Sequence, residues 1–333
     1  MKCRAALAVE KGIVKLTQVD VKAPKADEIQ MKVVRTLISP GTERAFILNM
    51  DNAHNEFPFV PGYCCAGYVN ETGAGVTEFK KGDKIAAFAL DIGHREVGNV
   101  VQKKVVKLPD DFPMDHAAFV ALGQVSLQAV RKCAIEIGEG VAVMGLGIIG
   151  LLALRFASIN GALPLIGIDR DNERLERAKK YGADFVLNNR EGDFSEKLHE
   201  ITGGKGPAVV IEGTGFPAAI NQALEMIARM GRLSLLGSTR GVSEVNFYRD
   251  VHKKGVSVLG AHAEIIPQSG MSYPRHWTFK DDAECFIRLI QSGKLDVEPM
   301  IDWRINPSQI EEAYERLLSW DKGLLGIIIN WEN

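Results

Sequence analysis

The stretch VAVMGLGIIG, residues 141–150, sets Gly145, Gly147 and Gly150 in G-x-G-x-x-G spacing. In a loop that grips a pyrophosphate, the three glycines meet separate steric demands: a tight turn, close approach of backbone to phosphate, and close packing of the following helix. A helix starting at Ile148 would offer the free N–H groups of Ile148 and Ile149, and its positive dipole end, to the phosphates. Asp169 closes the next apolar run, LPLIGID, 19 residues after Gly150. A carboxylate there accepts both ribose hydroxyls of an adenosine and repels a 2′-phosphate, which points to NAD. A helix N-cap or loop acid is the alternative for Asp169. Arg170, beside it, could stack on adenine or welcome a 2′-phosphate, so NADP stays open.

A second stretch with chemical potential is VPGYCCAGYV, residues 60–69, where Cys64 and Cys65 stand side by side. It could be a metal site, a reactive thiol or the remains of a metal site. The five cysteines, Cys3, Cys64, Cys65, Cys133 and Cys285, are odd in number and scattered, with no disulfide framework. That pattern suits a reducing cytoplasm. Among the seven histidines, His54, His94 and His276 fall in loops where a proton donor could sit.

The elements that must position these residues fall into three stretches. Residues 1–121 read as short strands broken by turns at Pro24, Pro40-Gly41, Pro61-Gly62 and Gly73, with GIVKLTQVDV and EIQMKVVRTLI alternating apolar and polar. A small coiled β-barrel is expected. Residues 122–260 alternate apolar runs (VAVM, LPLIGI, FVL, AVVI, LSLL, VSVL) with amphipathic, helix-length segments, and Gly182, Gly203 and Gly231 fall where left-handed stop residues belong. Strands apolar on both faces, alternating with helices, predict a doubly wound parallel sheet. Residues 261–333 hold two helices (DDAECFIRLIQSGKL and NPSQIEEAYERLLSW) and a last strand, GLLGIIINW. Too small to stand alone, this tail is expected to fold back and complete the first domain.

With 333 residues, 46% hydrophobic, 25% charged and a net charge of −2, the chain has an ordinary water-soluble balance and no basic face for nucleic acid. The start, MKCRAALAVEKG, lacks the apolar run of a signal peptide, and no stretch is long enough to span a bilayer. A small-molecule substrate is the expected partner.

These residues together resemble the medium-chain dehydrogenase/reductase family: the zinc alcohol, sorbitol and threonine dehydrogenases and their zinc-free relatives. GAGVTEFKKGDKIAAF (73–88) is similar to the family's barrel hairpin, and VVIEGTG (209–215) and GRLSLLGS (231–238) to its later nucleotide-binding strands. The resemblance implies an α/β protein with a GroES-like β-barrel catalytic domain, a Rossmann domain, and Thr214 and Gly237 among the cofactor loops. It also implies a homodimer through the Rossmann sheet edge near VSVLGAH.

The departure from the family pattern is specific. Against the ligand strings C-G-T-D and G-H-E, SPGTE has Pro40 in place of the cysteine, and GYC has Tyr63 and Cys64 in place of the histidine and glutamate. Ala121 falls where a third ligand is expected. Catalytic zinc needs about three protein ligands, so the expectation is no metal, with Cys64 and Cys65 as buried, inert thiols on a strand. By its family position, Tyr63 becomes the candidate hydrogen-bond donor to substrate, with a half-buried barrel tyrosine as the alternative. Thr42 matches a hydroxyl that relays the proton, and Glu43 matches an acid behind the metal ligands; Arg44 could hold a polar or anionic substrate. The reading is an NAD-dependent dehydrogenase of a secondary alcohol such as a polyol, cyclitol or sugar. A zinc-free enone or quinone reductase using NAD(P)H is the alternative, and a cofactor-binding protein without catalysis is a third.

Overall fold

The computed structural model describes residues 1–90, 92–319 and 324–332. The chain divides into two compact units, one of residues 1–122, 268–270 and 279–333, the other of residues 123–267 and 271–278. The second unit thus runs past residue 260, because Ala261 N–H bonds the carbonyl of Leu235 and continues the sheet's edge.

The first unit is built around one long strand, Glu28–Ile38. It pairs along its length with Cys64–Thr72, while its first half also pairs with Val97–Val101 and its second half with Gly326–Asn330. Register shifts at Gln30/Met31 and Val33/Arg35 bend it, as bulges do. The expected alternation of a half-buried strand is therefore not found here: most of Glu28–Ile38 is buried, on both faces. Ile13–Asp20, in the hairpin with Lys2–Glu10, alternates in each half, with a change of phase at Leu16 and Thr17, both half-buried. Lys84–Phe88, Val105–Lys107 and the parallel strand Ile301–Ile305 complete the sheet. Ile29, Met31, Ile85, Ile310, Tyr314 and Ile327 belong to its core.

Helices at Pro40–Ile47, Met114–Ala117 and Val120–Cys133, the last crossing from the first unit into the second, escape a sequence reading. Pro40–Ile47 is a helix and not a turn, because Pro40 occupies the first helical position, where its missing N–H costs nothing. Val120–Cys133 spans the stretch read above only for a ligand. The tail helices run Phe279–Gln291 and Ile310–Leu318; Trp320 and Gly323, at the ends of the expected helix and strand, lie outside the described residues.

The second unit is a six-stranded parallel sheet in the spatial order Phe185–Asn188, Leu165–Asp169, Val141–Met144, Val209–Glu212, Arg232–Leu235, Ser257–Gly260. The order reverses between the third and fourth of these, which is where doubly wound sheets bind ligands beyond the strands' carboxyl ends. The central strands are buried throughout, whereas the edge strand Ser257–Gly260 leaves Val258 42% exposed. Gly182 and Gly203 end their helices at positive φ as expected. Gly231 does not: the left-handed residue is Met230 (φ 60°), and Gly231 is small because a β-carbon there would stand 2.6 Å from Ile227 Cγ1. No helix of the described residues is long and apolar enough to cross a membrane.

Candidate active site

The glycine loop lies at the point where strand order reverses. Gly145 has φ 82°, and a β-carbon on it would stand 2.7 Å from Thr214 Cγ2. Gly147 is the N-cap of the helix Ile148–Ile159 and has open space where a side chain would be. Gly150 packs on the turn so closely that a β-carbon would stand 1.8 Å from the Gly145 carbonyl oxygen. The first turn, Ile148 and Ile149 included, has N–H groups with no acceptor inside the helix. These features fit a dinucleotide: a strained turn, an open shelf and a helix start together.

Asp169 is 8% exposed, and its carboxylate is anchored within the loop. Oδ2 accepts Leu146 N–H at 2.7 Å; Oδ1 accepts Arg170 N–H at 2.7 Å and Asp171 N–H at 3.1 Å. The N-cap role belongs to Asp171, which accepts from Glu173 and Arg174 N–H. Three of the carboxylate's roughly four acceptor positions are filled, one of them by the glycine loop itself. The Arg170 guanidinium lies 5.3 Å from the centre of the Phe216 ring. Thr214 is turned inward, its hydroxyl and N–H both donated to Glu212 Oε1. A β-carbon at Gly237 would stand 2.5 Å from Gly215 N. The structure thus gathers Gly145, Thr214 and Gly237 at the carboxyl ends of neighbouring strands.

In the first unit, the stretches SPGTE, PGYCC and GHRE and the helix Ile310–Leu318 converge on one buried carboxylate. Glu43 is fully buried at 0% exposure. Its Oε1 accepts Ser39 N–H at 2.7 Å; its Oε2 accepts His94 Nε2–H at 2.9 Å and the Tyr314 hydroxyl. With Glu43 as the acceptor the bonding hydrogen is on Nε2, and His94 Nδ1 has no hydrogen-bond partner among the described residues. Burial, then the Glu43 carboxylate, push the Tyr314 phenol well above its ordinary value.

Tyr63 does not present a free hydroxyl. It is 7% exposed, and its OH donates to Ser39 Oγ at 2.7 Å. Burial and then the neighbouring Cys64 drive its ionisation far upward, with Ser39 and Thr42 hydrogen bonds opposing. Thr42, half-buried, therefore joins Ser39 and Tyr63 in one hydroxyl cluster. The Tyr63 ring packs 5.3 Å from Phe88, which stacks on Phe279 at 6.5 Å. Of the expected catalytic groups, Tyr63 and Glu43 are enclosed and bonded to their own unit; Thr42 alone is half open. His94 is no loop histidine reaching outward: it is fully buried behind Glu43. His54 is exposed, and His276 stacks 5.0 Å from Tyr273.

The residues do not fit a catalytic zinc. Pro40 and Ala121 offer no donor, and Cys64 is fully buried with its thiol pushed well above the usual range by burial, Cys65 and Glu43. Glu43 is already engaged by three donors. Among the described residues, no group of three or more His, Cys, Asp or Glu is disposed to hold a metal. Ser39, Tyr314 and Glu212 went unremarked in the sequence. The only signal for Tyr314 was its place on the apolar face of a tail helix, which reads as core.

Comparison with known proteins accords with this architecture. The zinc-binding dehydrogenase family model matches residues 149–265, and the alcohol dehydrogenase GroES-like domain model matches residues 25–110, together more than half of the chain. D-guloside 3-dehydrogenase of Escherichia coli K12 is 29% identical over 77% of this chain and 73% of its own length. L-threonine 3-dehydrogenase of Pyrococcus abyssi is 28% identical over 97% of this chain and 96% of its own. Among solved structures, a short chain alcohol dehydrogenase from E. coli CFT073 complexed with NADH has a TM-score of 0.85 at 19% identity, covering 99% of both chains. A zinc-binding dehydrogenase from Sinorhizobium meliloti 1021 bound to NADP has a TM-score of 0.83 at 20% identity, covering 99% of this chain and 100% of its own. The chain belongs to the medium-chain dehydrogenase/reductase family, the alcohol, sorbitol and threonine dehydrogenase-like enzymes that act on CH–OH groups.

Proposed function

We propose that this protein oxidises a secondary alcohol, a polyol, cyclitol or sugar, with NAD and without a catalytic zinc. The observation that carries the zinc-free reading lies at the ligand positions: Pro40 and Ala121 offer no donor, and Tyr63 and Cys64 are buried, with the Tyr63 hydroxyl donated to Ser39. Relatives that act on a guloside and on threonine, each at a 3-position, support the alcohol class.

Gly145, Gly147, Ile148, Ile149 and Gly150 would hold the pyrophosphate, Asp169 and Arg170 the adenosine half, and Thr214 and Gly237 the far half. NAD, when bound there, supplies the hydride acceptor. The protein's own task is the single proton. Thr42, the half-open member of the hydroxyl cluster, relays it: its oxygen accepts the proton of the substrate hydroxyl while its own hydroxyl proton passes on towards solvent. Ser39 and Tyr63 orient Thr42, and Tyr63 acts as a neutral hydrogen-bonding group, since its buried phenol resists ionisation. Glu43 is a positioning residue: it fixes Ser39 through the backbone.

The exposed edge Ser257–Gly260 supports a homodimer through the Rossmann sheet, and the five free thiols, four of them buried, support a cytoplasmic setting. A small molecule is the proposed partner, not nucleic acid or membrane. Arg170 beside Asp169 favours the second reading, a reductase of enones or quinones with NAD(P)H. Initial rates decide between them: NADH formation with polyols, sugars or secondary alcohols supports the first. NAD(P)H consumption with enones or quinones alone supports the second.

A further inference from the structure

Glu212 ends the strand Val209–Glu212 with a side chain of 0% exposure. Its Oε1 collects three hydrogens, from Thr214 N–H at 2.6 Å, the Thr214 hydroxyl, and Gly215 N–H at 3.3 Å. Its backbone carbonyl accepts the N–H groups of Leu236 and Gly237 at 2.8 and 2.7 Å. One residue therefore ties down both loops that leave two adjacent strands.

Other bonds hold the same loops, from Gly213 N–H to the Met144 carbonyl and from Arg240 N–H to the Gly215 carbonyl, but the Glu212 carboxylate is the side chain that gathers the Thr214–Gly215 turn. Gly213, Gly215 and Gly237 carry no side chain, and they meet backbone to backbone: a β-carbon at Gly215 would stand 2.7 Å from Ser238 O. Thr214 N would stand 2.9 Å from a β-carbon at Gly145, so the glycine loop rests on the same turn. Glu212 Oε2 has no partner among the described residues, and burial holds the carboxyl above its ordinary range. An acidic group kept in such surroundings costs stability, and groups of that kind concentrate at functional sites.

We infer that Glu212 is a positioning residue of the cofactor site, presetting the Thr214–Gly215 turn against the glycine loop before the dinucleotide arrives. This rests on the cofactor reading above. It adds a residue that touches neither substrate nor, by its burial, the open shelf at Gly147. A glutamine can offer the same acceptor oxygen to all three donors. An aspartate, one methylene shorter, can accept from N–H groups two and three residues on, as Asp171 does, but only with the turn drawn into a different shape.

The test measures NADH and NADPH binding to the full chain by calorimetry, with the melting temperature of the cofactor-free protein alongside. Glu212→Asp should weaken the preferred dinucleotide about tenfold or more, the loss of one good interaction, and Glu212→Gln should restore binding to within about threefold of wild type. Thr214→Val, which removes one donor at a partly exposed turn, should weaken it about threefold and guards against an aspartate variant that fails to fold. Unchanged affinity in Glu212→Asp or Thr214→Val, with or without a lower melting temperature, would overturn the inference, as would failure of Glu212→Gln to restore binding. If wild type binds neither dinucleotide, the cofactor reading itself is wrong and the inference falls with it.

Discussion

The His94 ring occupies the space above Gly62: a β-carbon at position 62 would stand 2.4 Å from Nε2, the nitrogen that donates to Glu43. Gly62 also has φ 95°, a conformation that side chains resist. Gly62→Ala should therefore force the imidazole away from Glu43 and cost about 2–4 kcal/mol, combining backbone strain with overpacking. Denaturant unfolding checks this; a cost under ~1 kcal/mol would mean that His94 can yield freely.

The buried carboxylate should be more sensitive than any of its donors. Glu43→Ala leaves Ser39 N–H, His94 and Tyr314 without an acceptor in a dry interior and should cost about 3–5 kcal/mol. Tyr314→Phe removes one donor while keeping the ring, and should cost about 1–2 kcal/mol. The two losses should fall short of additive in the double variant, because they act on one network.

How much of this was legible in the sequence depends on distance along the chain. The glycine loop, its helix and Asp169 could be read because each is a local pattern, complete within about thirty residues. The parallel sheet followed from apolar runs buried on both faces. The Glu43 cluster could not be read, since two of its three partners, His94 and Tyr314, are 51 and 271 residues away and each looks ordinary by itself. The direction of the Tyr63 hydroxyl is not legible in the sequence either, since its partner Ser39 lies 24 residues away. Pro40-Gly41 reads as a turn in the sequence and opens a helix in the structure, because proline punctuates turns and opens helices alike.

Asp169→Ser tests the adenosine half. It removes the charge that repels a 2′-phosphate and leaves Arg170 in place, so the ratio of NAD to NADP affinity should fall by about tenfold or more. It also frees Leu146 N–H, so NAD binding should weaken even where the ribose contact is small. An unchanged ratio in calorimetric titration would mean that the ribose lies elsewhere.

The cysteine pair should be silent. Burial pushes Cys64 and Cys65 well above the ordinary thiol range and Cys133 up to about 12. Native protein at pH 8 should present Cys285, the one half-exposed thiol, to a thiol reagent, and the rest should react only on unfolding. Fast labelling at Cys64 would contradict the burial.

The same shifts set an alkaline limit. Folded-state values above those of the unfolded chain, 9.0 for thiols and 10.0 for tyrosines, mean that the folded state holds protons the unfolded state has lost. That contribution is intact below the unfolded values and declines as pH rises through them. The melting temperature should hold near neutrality and fall progressively above about pH 9. A flat profile to pH 11 would contradict it.

The most direct test of the central claim is NADH formation by chelator-treated protein, its metal content measured, across a panel of polyols, sugars and secondary alcohols. Turnover that persists with metal far below one equivalent, and that added zinc does not raise, is the predicted result. Activity lost on chelation and restored by zinc would contradict the account, and would mean that residues other than those at the family's ligand positions hold a catalytic zinc.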